Sequence, residues 1–104
     1  MVKNSKPKNA NEIIKSLKHH ILDLKKRFKV TEIGVFGSYT RGDQKRGSDI
    51  DILVEFENGY KTFDNYMKLK FYLERILKSK IDLVVKAAIR AELKHRILSE
   101  VNYA

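Results

Sequence analysis

A glycine–serine pair, Gly37-Ser38, is followed after ten residues by two aspartates that bracket one isoleucine, Asp49-Ile50-Asp51. A Gly-Ser turn opening a short helical turn leaves backbone N–H groups, with the Ser38 hydroxyl, free for nucleotide phosphates. In an extended segment Asp49 and Asp51 project from one face while Ile50, Ile52 and Val54 line the other. Two like charges held side by side want a cation. Hard divalent ions such as Mg²⁺ take carboxylate oxygens together with substrate phosphates, and a two-metal site stabilises both the attacking and the leaving oxygen of an in-line displacement. The pattern points to metal-assisted phosphoryl or nucleotidyl transfer. A third carboxylate, Asp82, interrupts the apolar run Ile81-Asp82-Leu83-Val84-Val85. If that strand lies beside the one carrying Asp49 and Asp51, with Asp82 on the same face, the three form a triad that can bind metal. The third can then also take the proton from an attacking hydroxyl. Arg41, one turn after Ser38, has the charge to join the phosphates. The competing structural account treats the three aspartates as solvated charges on an exposed sheet face.

Other phosphate and metal motifs do not fit. Gly37 and Gly42 have the separation of the two P-loop glycines, but Asp43-Gln44 stand where Lys and Ser or Thr are required. An EF-hand fails because Leu53 and Val54 follow Asp49 and Asp51 where an oxygen ligand and a glycine are needed. His19, His20 and His95 lack a Cys or carboxylate at zinc-ligand spacing and belong on exposed helix faces.

The elements that must hold these residues follow from periodicity. Residues 1–10, with the only proline and no repeat of apolar positions, predict a mobile N-terminal arm before one domain over 11–104. Asn11 as a cap, then Ile14, Leu17, Ile21, Leu24 and Phe28, predict one amphipathic helix to about Lys29, whose Lys25-Lys26-Arg27 run is its solvated end. Strands are expected over Glu32–Phe36, Ser48–Phe56 and Lys80–Val85, with four of the five glycines, Gly34 to Gly47, marking a tight loop after the first. Asn58-Gly59 signals a turn. Tyr66, Leu69, Leu73, Ile76 and Leu77 space a helix over Thr62–Lys78, and its tyrosines are better assigned to core packing than to base stacking. Ile89, Leu93, Ile97 and Val101 stripe a last helix. This order suits an α/β fold, a small mixed sheet covered by helices.

Size and composition set limits. The chain has 104 residues, enough for one core, with 42% hydrophobic residues and no cysteine. Disulfide frameworks and thiolate metal sites are excluded, no apolar run is long enough for a membrane span, and a cytoplasmic location is the expectation. The formal charge of +9 favours an anionic partner without naming it.

The spacing Gly37-Ser38, ten residues, Asp49-Ile50-Asp51, with Asp82 as a later acidic residue, resembles the signature of the DNA polymerase beta nucleotidyltransferase superfamily. In length and in the segments Phe36–Gly42, Ser48–Val54 and Ile81–Val85 the chain looks like the minimal nucleotidyltransferases, the MNT proteins that occur as antitoxins beside HEPN toxins. The resemblance spans about residues 12 to 101. It implies a polymerase-beta-like core in which Asp49 and Asp51 bind two Mg²⁺ ions, Asp82 completes one site and acts as base, and Gly37 and Ser38 hold the triphosphate, with Arg41 beside them. It further implies AMP transfer from ATP to a hydroxyl, a tyrosine of a HEPN toxin encoded nearby. Two rival functions stay open: a toxin-covering module without catalysis, and a nucleic-acid 3′-end transferase working with a separate RNA-binding subunit.

Overall fold

The computed structural model of the chain describes residues 6–104. The N-terminal arm therefore falls partly outside the described residues; within them, residues 6–8 form no helix or strand. Helix α1 (Ala10–His19) is capped by Asn9, whose side chain accepts from the Glu12 N–H at 2.9 Å. The expected cap, Asn11, lies inside the helix. The expected single helix is also two, because the chain bends at His20 before α2 (Ile21–Phe28) begins. At the bend the His20 ring shares the Ser16 carbonyl with its own backbone N–H, which bonds to both Ser16 and Leu17. His20 is consequently half-buried, with its ring 6.0 Å from that of Tyr72, rather than exposed.

Strand β1 (Val30–Phe36) leads into the one-turn helix α3 (Ser38–Arg41), and β2 (Ile50–Phe56) follows the glycine loop. Helix α4 (Phe63–Leu77), capped by Thr62, precedes β3 (Ile81–Val85). A 3₁₀ turn (Lys86–Ala88) separates β3 from α5 (Ala91–Glu100), and a two-residue strand β4 (Asn102–Tyr103) comes last. The expected helix from Ile89 to Val101 thus starts later. Its stripe also stays out of the core: Leu93 is 38% exposed and no residue of α5 is buried.

The four strands lie in the order β3-β2-β1-β4, with β2 parallel to β3 and β1 antiparallel to both β2 and β4. Alternation assigns Ile50, Ile52, Val54 and Phe56 to one face, where they meet Val30, Ile33, Val35, Ile81 and Leu83. Ile13, Leu17, Leu24, Phe28, Leu69, Tyr72 and Leu73 close the same core. A buried aliphatic side chain contributes about 1.5–3 kcal/mol, so this one-sided core fixes the register that decides which residues face away. Those are Phe36, Asp51, Leu53, Asp82 and Val84.

Candidate active site

Strand pairing makes the centre of the site. Asp51 of β2 lies opposite Phe36 of β1 and in register with Asp82 of β3, so Phe36, Asp51 and Asp82 form a row across three strands on the face away from the core. A shift of one residue in either ladder would send Asp51 into the core face. Asp51 is half-buried, Asp82 is exposed, and Phe36, only 8% exposed, walls the row on one side. The Asp51 carboxyl is pushed up from 3.8 to about 6, first by burial, then by Asp82 as like charge and hydrogen-bond partner, then by Asp49, while Arg41 opposes the shift.

Asp49 lies one residue before β2. The Lys45–Ser48 turn, closed by Ser48 N–H to the Lys45 carbonyl at 2.9 Å and Lys45 N–H to Ser48 Oγ at 2.8 Å, delays the start of β2 to Ile50. Asp49 is exposed, just outside the strand, and its charge acts on Asp51. It lines a cavity of about 300 Å³ with Lys6, Tyr39, Gly47, Ser48, Ser79 and Lys80. A neighbouring cavity of about 530 Å³ shares Lys6, Tyr39 and Gly47 and adds Lys8, Lys45 and Arg46. Cationic side chains line both, which favours anionic ligands there.

Gly37 joins β1 to α3 with φ 77° and ψ −145°, and a Cβ built there would collide with Oδ2 of Asp51 and lie 3.0 Å from its Cγ. The glycine is thus required by the carboxylate next to it as well as by its left-handed φ. Its carbonyl accepts from the Thr40 and Arg41 N–H groups, each at 3.1 Å, and from Thr40 Oγ1 at 2.8 Å, which anchors α3 directly behind Ser38. Arg41 is half-exposed and engaged: Nε donates to Asp43 at 3.2 Å and Nη1 to the Glu100 carboxylate at 3.2 and 3.3 Å.

Asp51, Asp82 and Gly37 are brought into contact or register, whereas Asp49 and Arg41 stand at the border. Among the described residues no three His, Cys, Asp or Glu side chains converge as a metal-holding group. The Asp51–Asp82 pair nevertheless fits a hard divalent ion, since it offers only carboxylate oxygens, and Asp82 adds like charge beside a carboxyl whose ionised form burial already disfavours. Phe36, which walls Asp51, and Glu100, which holds Arg41, were not foreseen. Nothing local in the sequence marks either, because both depend on partners far along the chain.

A family model for the nucleotidyltransferase domain matches residues 17–104. Protein adenylyltransferase MntA of Thermococcus cleftensis is 44% identical over 92 residues, 88% of this chain and 92% of that protein. A solved structure described in provisional terms as a minimal nucleotidyltransferase superposes with a TM-score of 0.73 at 32% identity, covering 88% of this chain and 92% of the other. A structure of a tri-AMPylated Shewanella oneidensis HEPN toxin in complex with its MNT antitoxin gives a TM-score of 0.57 at 27% identity, over 91% of this chain and 67% of the other. With the motif spacing and the mixed sheet already established, these similarities identify the chain as a member of the nucleotidyltransferase domain family, an enzyme of that class on a minimal, polymerase-beta-like core.

Proposed function

We propose that this protein is a Mg²⁺-dependent protein adenylyltransferase that transfers AMP from ATP to a tyrosine of a HEPN toxin and serves as its antitoxin. The observation that carries the reading is the Asp51–Asp82 register beside the Cβ-free Gly37, since it sets two carboxylates against a phosphate-sized turn. The adenylyltransferase name of the Thermococcus cleftensis relative and the AMPylated toxin in the Shewanella oneidensis complex support the nucleotide and the partner.

Mg²⁺ held by Asp51 and Asp82, with Asp49 as a further ligand, would polarise the α-phosphate and help the acceptor hydroxyl ionise. The chain's own groups do the rest. Ser38, through its N–H and hydroxyl, and Arg41 bind the β- and γ-phosphates, so that the bond from the α-phosphorus to the leaving oxygen is oriented for in-line attack. Asp82, the more exposed of the pair, takes the tyrosine proton as the new oxygen–phosphorus bond forms and pyrophosphate departs. Phe36 limits water on one side of Asp51. With little surface of its own for choosing a substrate, the core relies on a stable complex to bring the acceptor hydroxyl into place.

The test is coexpression with the adjacent gene product and intact-mass spectrometry of the partner after ATP and Mg²⁺ are added. The expected result is a copurifying complex whose partner gains mass in AMP steps at a tyrosine, with no gain when the enzyme carries Asp51→Asn. An unmodified partner whose toxicity is still neutralised would favour covering of the toxin without catalysis. Mass added to an RNA end would favour the 3′-end transferase.

A further inference from the structure

The segment after α5 is tied to the sheet more closely than a two-residue strand requires. Asn102 and Tyr103 pair with Val35 and Gly34, and the Ala104 N–H donates to the Ile33 carbonyl at 2.9 Å. A Cβ on Gly34 would lie 2.7 Å from both the Asn102 carbonyl oxygen and Val101 Cγ1, so the segment seats only where β1 lacks a side chain. From the 3₁₀ turn, Lys86 reaches Glu32 of β1 at 2.8 Å and lies 5.9 Å over the Tyr103 ring. This seating fixes Glu100, the last residue of α5, against Arg41, the last residue of α3, across 59 positions of sequence.

The contact is specific in form. Glu100 presents both carboxylate oxygens to Arg41 Nη1 while Asp43 occupies Nε. A guanidinium carries its donors in a rigid planar fork. With Nε and Nη1 engaged, Nη2 is the edge that no acidic side chain among the described residues takes up. The pair is half-exposed at Arg41 and 21% exposed at Glu100, and an ion pair so open to water adds little stability. Its value lies in orientation.

We infer that Glu100 is a positioning residue for the transfer reaction: seated by the C-terminal strand, it holds the Arg41 guanidinium so that its remaining edge meets the nucleotide's phosphates. This rests on the phosphate-binding role given to Arg41 above. Without Glu100, Arg41 keeps only Asp43, two residues away in an exposed loop, and its long side chain regains rotamer freedom that ATP must then quench.

Calorimetric titration with ATP and Mg²⁺, single-turnover rates and thermal midpoints test this on the full chain. Glu100→Gln should weaken ATP binding about fivefold, with the rate at saturating ATP within about twofold and the midpoint within about 2 °C. Glu100→Asp should fall between, and Arg41→Ala should lose more. The double variant Arg41→Ala with Glu100→Gln should be no worse than Arg41→Ala alone, because both changes remove one coupled unit. Arg41→Lys, which leaves the C-terminal segment untouched, should mimic Arg41→Ala through loss of the fork. The Arg41 Nε–H resonance should sharpen in the wild type and broaden in Glu100→Gln. Wild-type ATP affinity in Glu100→Gln, additive losses in the double variant, or an unchanged Arg41 resonance would each overturn the inference alone. A wild-type protein that binds no ATP would overturn the nucleotide reading and this inference together.

Discussion

Asp51 is the residue on which most of the site converges, since it touches Gly37, aligns with Phe36 and Asp82, and carries a raised pKa. Its folded value near 6 exceeds the unfolded value near 3.8, so the folded form holds its proton more tightly. The resulting stability is complete below the unfolded value and is lost as pH rises through about 6. In EDTA, the stability gained by Asp51→Asn over the wild type should therefore grow from near zero at about pH 4 to about 1 kcal/mol at about pH 7, after discounting for partial exposure. Urea titrations at both ends of that window check the sign, and the same variant should lose transfer by roughly a hundredfold or more. Asp82→Asn should act differently. Its effect should fall on the single-turnover rate far more than on ATP binding, because accepting a proton matters in the transition state. Lost ATP binding with an unchanged rate would assign Asp82 to binding instead. The candidate residues themselves were legible because Gly37-Ser38, Asp49-Ile50-Asp51 and Asp82 each sit in a short run whose chemistry conflicts with its surroundings. The start of β2 at Ile50 was less legible, because it depends on the Lys45–Ser48 turn, which alternation alone does not reveal.

At the scale of elements, the helix ends and the last strand diverge most from the sequence reading. The stripe of Leu17, Leu24 and Phe28 gave the correct buried face, yet it runs through the bend at His20 without a gap in the apolar pattern. Strand β4 carries only two residues, too few for periodicity, and it is held by the space above Gly34. The exposed α5 stripe looked like core because a helical repeat records one apolar face and not what covers it. Two helices end on lysines in the left-handed region, Lys29 with φ 58° and Lys78 with φ 53°. Glycine is the low-strain residue at such an end. Lys78→Gly should raise stability by roughly 1 kcal/mol, the relieved left-handed strain less the extra freedom of glycine in the unfolded chain. Thermal and urea midpoints check it, and no change would show that neighbouring contacts already compensate the lysine.

For the whole molecule, the α/β class and the mixed sheet were legible because apolar runs alternate cleanly with helical stripes. The two cation-lined cavities beside Asp49 were not, since Lys6, Lys45, Arg46 and Lys80 meet only when the chain is folded. Among the described residues no helix is long and apolar enough to cross a membrane. The collision that any Cβ at Gly37 would have with Asp51 also bears on how the loop between them can be engineered. The glycine turn and the aspartate strand are locked together by the Phe36–Asp51 register and by direct contact, not by the length of chain between them. The ten intervening residues are then a tether rather than a ruler, and lengthening a loop costs little closure entropy, about 0.6 kcal/mol per doubling. Two or three residues inserted between Asp43 and Lys45 should leave the fold and the alignment of Gly37, Asp51 and Asp82 in place, as heteronuclear NMR of the β1 and β2 amides would report. Widespread shifts in those strands would mean that the loop does set the distance.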